Sequence, residues 1–241
     1  MSQESIIGIV ISVGLALLIY FFPRERLAKL FKKNNLDDFI KNNKFRDNFK
    51  IVIIDDEIDS YPVEYIKKLG AEVSTYETIS FADSVDITKY DLVFLDIKGV
   101  VKEDLEEGGA KFIKIIKQAR RHLPVIAVSS GFFHAEFNEY FKMSDQTIKK
   151  PINEYDINQL ISEIKAQHFD MSSLTKSLKK SIGTLNVKQK SKLNLENKIV
   201  NYLEGNTSKS DTMECIHQVA TTESGKLIDL VEIIKDRAQN D

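Results

Sequence analysis

The sequence predicts an α/β fold: a parallel five-stranded sheet wrapped by helices, with an apolar helix ahead of it and a helical extension behind. Three observations lead there. Short, continuously apolar strands such as IVII at 51–54 and VIAV at 125–128 read as buried on both faces. They alternate with amphipathic stretches, the pattern of parallel strands joined by helical crossovers. An uncharged run from Ile6 to Phe22 stands apart from the charged remainder.

That run, IIGIVISVGLALLIYFF, has Ser12 as its one conventional polar side chain. Its length corresponds to roughly 25 Å of helix, close to a hydrocarbon core of about 30 Å, so a single-pass transmembrane helix is expected over 6–22. A cleaved signal peptide would need a basic start and a small-x-small site. The chain instead begins Ser2-Gln3-Glu4-Ser5 and continues Pro23-Arg24-Glu25-Arg26. Arg24, Arg26, Lys29, Lys32 and Lys33 follow the run against Glu25 alone. The positive-inside rule then puts residues 1–5 outside and the body in the cytoplasm, anchored to the inner or cell membrane. Residues 23–49 read as a basic juxtamembrane linker, whose Asn-rich part from 34 is a tether with a little helix.

From residue 50 the strand candidates are 51–54, 71–76, 92–95, 125–128 and 147–149. Between them lie helix candidates at roughly 60–69, 82–89, 108–121, 134–143 and 154–167. Beyond 168, amphipathic stretches at Leu174–Leu185, Leu193–Leu203 and Lys226–Ile234 suggest a small helical bundle, with Gly183 and Gly205-Asn206 as helix ends.

Composition excludes several classes. A net charge of −2 over 241 residues gives no general nucleic-acid signal. A single cysteine, Cys215, rules out an internal disulfide framework, and four scattered histidines lack metal-ligand spacing.

In parallel sheets, ligands bind beyond the carboxyl ends of the strands. Asp55 and Asp56 follow the first strand candidate, Asp96 the third, Ser129 the fourth and Lys150 the fifth. Taken singly, an acid after a strand is an ordinary turn residue. Together they suit one task. Neighbouring carboxylates repel, and a divalent cation relieves the repulsion. An all-oxygen donor set favours Mg2+. A carboxylate beside the metal can attack a phosphoryl donor, with a lysine and a hydroxyl to meet the phosphoryl oxygens.

The motifs IVIIDDE at 51–57, LVFLDIKG at 92–99, VIAVSSG at 125–131 and IKKPI at 148–152 resemble those of response-regulator receiver domains of two-component signalling. The resemblance covers residues 50–167, about half the chain. It implies a flavodoxin-like (βα)5 domain of the chemotaxis type. It also implies that Asp96 is the phosphorylated residue, with Mg2+ held by Asp55, Asp56, Asp96 and the backbone carbonyl of Lys98. Ser129 would be the hydroxyl switch, Lys150 would contact the phosphoryl group, and the Lys150–Pro151 bond would be cis. Two features depart from the family. Thr147 occupies the switch position, three before the lysine, where most members carry an aromatic residue. The segment after Asp96, running to Gly108-Gly109, is longer and acidic. It would either set partner specificity, slow phosphate loss or be a solvated insertion.

The expectation is thus a membrane-anchored receiver protein that accepts a phosphoryl group on Asp96. The donor would be a histidine kinase, a phosphotransfer protein or a small molecule. The signal would pass through contacts with a protein output partner; a homodimer is compatible with this. Self-catalysed transfer to Asp96 involves no turnover, so the chain is not expected to be an enzyme. Two rivals stand beside this: a non-signalling receiver-fold adaptor, and a DNA-binding regulator. Asp229, Glu232 and Asp236 on the last helix argue against a nucleic-acid partner.

Overall fold

The computed structural model describes residues 35–129 and 142–238. Five parallel strands form one sheet: β1 (Phe49–Ile54), β2 (Ala71–Tyr76), β3 (Leu92–Asp96), β4 (Val125–Ser129) and β5 (Gln146–Lys149), in the order β2-β1-β3-β4-β5. This is the 2-1-3-4-5 order of the flavodoxin-like class.

The alternation of side chains along each strand divides its apolar residues between two layers. Val52, Ile54, Val93, Leu95, Val125 and Ala127 face α4 (Gly108–Ala119), meeting Phe112, Ile113 and Ile116. Ile51, Ile53, Leu92, Phe94, Ile126 and Val128 face the other side. There they meet Ile66 of α2 (Val63–Lys68) and Ile157, Leu160, Ile161 and Ile164 of α5 (Glu154–His168). The short helix α3 (Ser84–Ile87) follows a 3-10 turn at Phe81–Asp83, which a capping box at Ser80 opens. The helix expected near 60–69 is shorter because Pro62 breaks it from the 3-10 turn Ile58–Ser60. The candidate at 134–143 falls almost wholly outside the described residues.

A third core lies apart from the sheet. It is built from α6 (Met171–Thr184), α7 (Gln189–Leu203), α8 (Lys209–Ala220) and α9 (Ser224–Ala238), joined by α1 (Leu36–Asn42) from the other side of the sheet domain. Leu36 and Phe39 of α1 are buried among Leu174, Leu178, Leu195 and Ile199. The segment read as a tether is therefore partly structural. Helix α8 was not expected at all. Its sequence is polar, but Ser208 caps it by accepting from the Asp211 backbone N–H at 3.1 Å.

The helical unit docks on the amino ends of the strands, opposite the carboxyl edge. Asp236 on α9 accepts from Arg120 Nε at 2.8 Å and lies 2.7 Å from His122 Nε2, while Asp229 lies 3.6 Å from Arg121. The Arg237 guanidinium sits 3.4 Å from the centre of the Phe169 ring, which meets Phe49 edge-on. Acidic groups of the last helix are thus turned toward the sheet domain.

The membrane expectation is corrected. Among the described residues no helix is long and apolar enough to cross a membrane. The longest run 15 residues, about 22 Å, against a hydrocarbon core of about 30 Å, and all carry charged side chains. The run 6–22 lies outside the described residues. Neither the transmembrane helix nor a single-pass location at the inner or cell membrane is retained; the fold class is a flavodoxin-like sheet domain with a helical extension.

His168, at the end of α5, carries a pH prediction. Burial holds its imidazole down at about 4, against 6.5 ordinarily, with the Asp145 charge pulling the other way. Its buried Nδ1 has no hydrogen-bond partner among the described residues. The unfolded chain takes up this proton below about pH 6.5, and the folded chain resists it until about pH 4. Stability is unaffected above pH 7 and falls across that window, by on the order of 3 kcal/mol at its foot. His168→Gln is expected to remove that slope, measured as urea stability of both proteins from pH 7.5 to 4.5.

Candidate phosphoacceptor site

The carboxyl edge of the sheet gathers four of the expected residues. Asp55 follows β1 and is fully buried; Asp96 ends β3 and is half-buried; Lys150 follows β5, with its side chain 3% exposed. Lys150 Nζ lies 2.9 Å from Asp55 Oδ1, 2.7 Å from Asp96 Oδ2 and 3.0 Å from Glu57 Oε2. An ammonium group has three N–H donors, so three carboxylates use its full capacity. Asp56, exposed at the mouth, completes an acidic group. One carboxylate oxygen from each of Asp55, Asp56 and Asp96 falls within 4.8 Å of the others. That all-oxygen set fits a hard divalent cation.

Electrostatics follow from the geometry. Burial pushes the Asp96 carboxyl above its usual range, the Lys150 hydrogen bond opposes this, and the Asp55 charge pushes it up further. Burial works against the charge of Lys150, but its hydrogen bonds to Asp96, Asp55 and Glu57 outweigh that and hold its pKa above the ordinary value. The Ile97 backbone N–H donates to Asp96 Oδ1 at 2.6 Å, which fixes the plane of the carboxylate.

The other expected residues are placed as follows. Ser129 ends β4, and its carbonyl accepts from the Lys150 backbone N–H at 3.0 Å, tying the two strand ends together. The Lys150–Pro151 bond is cis. Lys98 is exposed, and its ammonium lies 3.4 Å from Glu106. Thr147 is exposed on the edge strand β5, in register with Ala127. Gly99, at φ +78°, passes so close to Asp56 that a Cβ there would stand 3.3 Å from Oδ2.

The segment after Asp96 is anchored at its start, while its acidic residues Glu103, Glu106 and Glu107 stay exposed to solvent. Val100 and Val101 are fully buried. Ile79 donates to the Val100 carbonyl at 2.8 Å and accepts from Lys102 at 2.9 Å. Glu103 accepts from Ser80 Oγ and from the Phe81 backbone N–H.

Two residues had no role in the sequence reading. Glu57 stood inside the matched motif, next to two acids, and that adjacency was its one signal. Tyr61 gave none. Its hydroxyl donates to Asp55 Oδ2 at 2.6 Å, and burial, then the Asp55 charge and hydrogen bond, push the phenol far above its ordinary pKa.

No protein-family model matches the chain, and neither does any curated protein. Solved structures do. A CheY-like response regulator receiver domain protein from Methanospirillum hungatei is 23% identical, with 48% of this chain and 91% of that one covered at a TM-score of 0.40. The receiver domain of NtrX from Brucella abortus is 21% identical, covering 48% of this chain and 98% of its own at 0.40. NtrX from the same organism in complex with ADP is 21% identical at 0.41; the match covers 62% of this chain and 33% of that longer one. Over about half its length the chain is similar to CheY-like receiver domains, and its own strand pairing gives that half the flavodoxin-like order.

Proposed function

We propose that this chain is a response-regulator-like phosphoacceptor whose Asp96 takes a phosphoryl group and passes the change on through protein contacts. The observation that carries the reading is the single buried Lys150 ammonium shared among Asp55, Glu57 and Asp96 at the carboxyl edge. An Asp96 oxygen attacks phosphorus, the bond from phosphorus to the donor's nitrogen or oxygen breaks, and the leaving group departs with its electron pair and takes up a proton. Asp55, Asp56, Asp96 and the Lys98 carbonyl would hold Mg2+, which supplies charge neutralisation for the phosphoryl oxygens when bound. Lys150 offers the remaining positive charge. Its three donors are already used, so it must release one partner to meet the phosphoryl group. Glu57, with a side chain 58% exposed, is the partner most cheaply returned to water. The Ser129 hydroxyl would donate a hydrogen bond to a phosphoryl oxygen, and Thr147 would carry the movement outward along β5. The donor would be a histidine kinase or phosphotransfer protein.

The test uses the full chain with Mg2+ and beryllofluoride, a mimic of the acyl phosphate, read by amide NMR against Asp96→Asn. Amide shifts at Asp96, Ser129 and Lys150 that vanish in the variant are expected. An unresponsive wild-type protein would favour the adaptor reading, toward which the exposed, non-aromatic Thr147 points.

A further inference from the structure

We propose that Tyr61 is a positioning residue for cation binding: its hydroxyl confines Asp55, a member of the acidic group with Asp56 and Asp96, to one open acceptor position. The inference rests on the phosphoacceptor reading and adds to it a part of the site that none of the motifs contains.

The argument counts acceptors. A carboxylate has about four lone-pair positions. On Asp55, Oδ1 already accepts from Lys150 Nζ at 2.9 Å and from the Glu57 backbone N–H at 2.8 Å. Tyr61 takes one position on Oδ2 at 2.6 Å. A single position remains, also on Oδ2, the oxygen that Lys150 does not touch. Asp55 can therefore meet a cation through one oxygen, from one direction, and cannot chelate it with both.

Tyr61 is itself held firmly enough to set that direction. It is 5% exposed, and its ring meets Phe94 of β3 edge-on, with centroids 6.0 Å apart at 76°. Ile53, Val128 and Ile152 belong to the same buried cluster. Its backbone N–H closes the 3-10 turn on the Ile58 carbonyl at 3.1 Å, and Ser60 accepts from Ile152 N–H at 3.0 Å. The phenol thus stands between the sheet core and the acid pocket, with its position fixed from the apolar side. Groups that orient a metal-binding carboxylate from behind in this way commonly contribute about 10- to 100-fold in affinity. The competing reading is a core tyrosine whose hydroxyl simply takes the nearest acceptor.

The chain contains eight tyrosines and no tryptophan, so absorbance at the long-wavelength side of the aromatic band, beyond the phenylalanine range, reports tyrosine. The full-length protein and Tyr61→Phe would be titrated with Mn2+, with free ion followed by electron paramagnetic resonance, and separately with Mg2+ by tyrosine difference absorbance. Mn2+ binding about 10-fold weaker in the variant is expected. A tyrosine signal on Mg2+ addition should appear in the wild type and be lost in Tyr61→Phe. Equal or tighter Mn2+ binding by the variant would overturn the inference, as would wild-type binding without any tyrosine signal; this second measurement needs no variant to fold. A wild type that binds no Mn2+ and ignores beryllofluoride would bring down the phosphoacceptor reading together with it. A wild type that responds to beryllofluoride while Tyr61→Phe binds normally would sink the inference alone.

Discussion

Lys150→Met should lose about 3–5 kcal/mol of stability at neutral pH, the usual cost of stripping the partner from a buried charge. Among the described residues the lysine is the one cation bonded to both Asp55 and Asp96, and Asp55 is fully buried. Without it the fully buried Asp55 and the half-buried Asp96 face each other unneutralised, which favours a proton on one of them. Asp96 already lies above the ordinary carboxylate range with the Lys150 hydrogen bond restraining it, so the variant raises it further. A carboxyl whose folded pKa is raised favours folding at low pH and loses that contribution as pH rises toward the folded value. The deficit of the variant should therefore be larger at pH 7.5 than at pH 4.5, measured by urea unfolding at both. Mg2+ should recover part of it, and the beryllofluoride response should be absent. Equal deficits at the two pH values would show that Lys150 acts through packing rather than charge.

Gly109→Ala should be nearly as damaging, for a steric reason. An added Cβ would stand 2.2 Å from the Asp96 carbonyl oxygen, 2.7 Å from that of Ile97 and 2.9 Å from the Ile97 carbonyl carbon. All three are backbone atoms, so no side chain can swing aside. Overpacking of this kind costs about 3 kcal/mol or more where the backbone must move. Alanine's better helix propensity returns only about 1 kcal/mol. The backbone that would move carries Asp96 itself, so the thermal midpoint and the beryllofluoride response should fall together. Gly183→Ala is the control. It lies in α6 with nothing within 4 Å of an added Cβ, and it should be neutral or slightly stabilising.

The sheet was legible because its central strands are apolar without interruption. IVII, LVFL and VIAV are buried on both faces, and their ends delivered Asp55, Asp96 and Ser129 to one edge. Boundaries slipped where packing rather than pattern decides: β1 begins at Phe49 because that ring is buried against Phe169, distant in sequence. Helix α8 was missed because its buried positions, Thr212, Ile216 and Ala220, make a weak apolar stripe. The uncharged run 6–22 dominated the reading of location by composition alone. In the site, strand-end acids and the Lys-Pro step could be read from spacing. Tyr61 could not, because its reach to Asp55 depends on the path of a 3-10 turn interrupted by Pro62.

The sheet domain interrupts the helical unit, since α1 precedes β1 and its partners α6 and α7 follow α5. Joining α1 to α6 closes a loop of about 130 residues, with an entropic cost that an unfolded intervening chain would impose in full. Once the sheet has folded, the contact between Phe49 and Phe169 brings its two exits together at the amino ends of the strands, and most of that cost is removed. The connectivity therefore favours an order of assembly in which the sheet domain forms first and the helical unit closes afterwards.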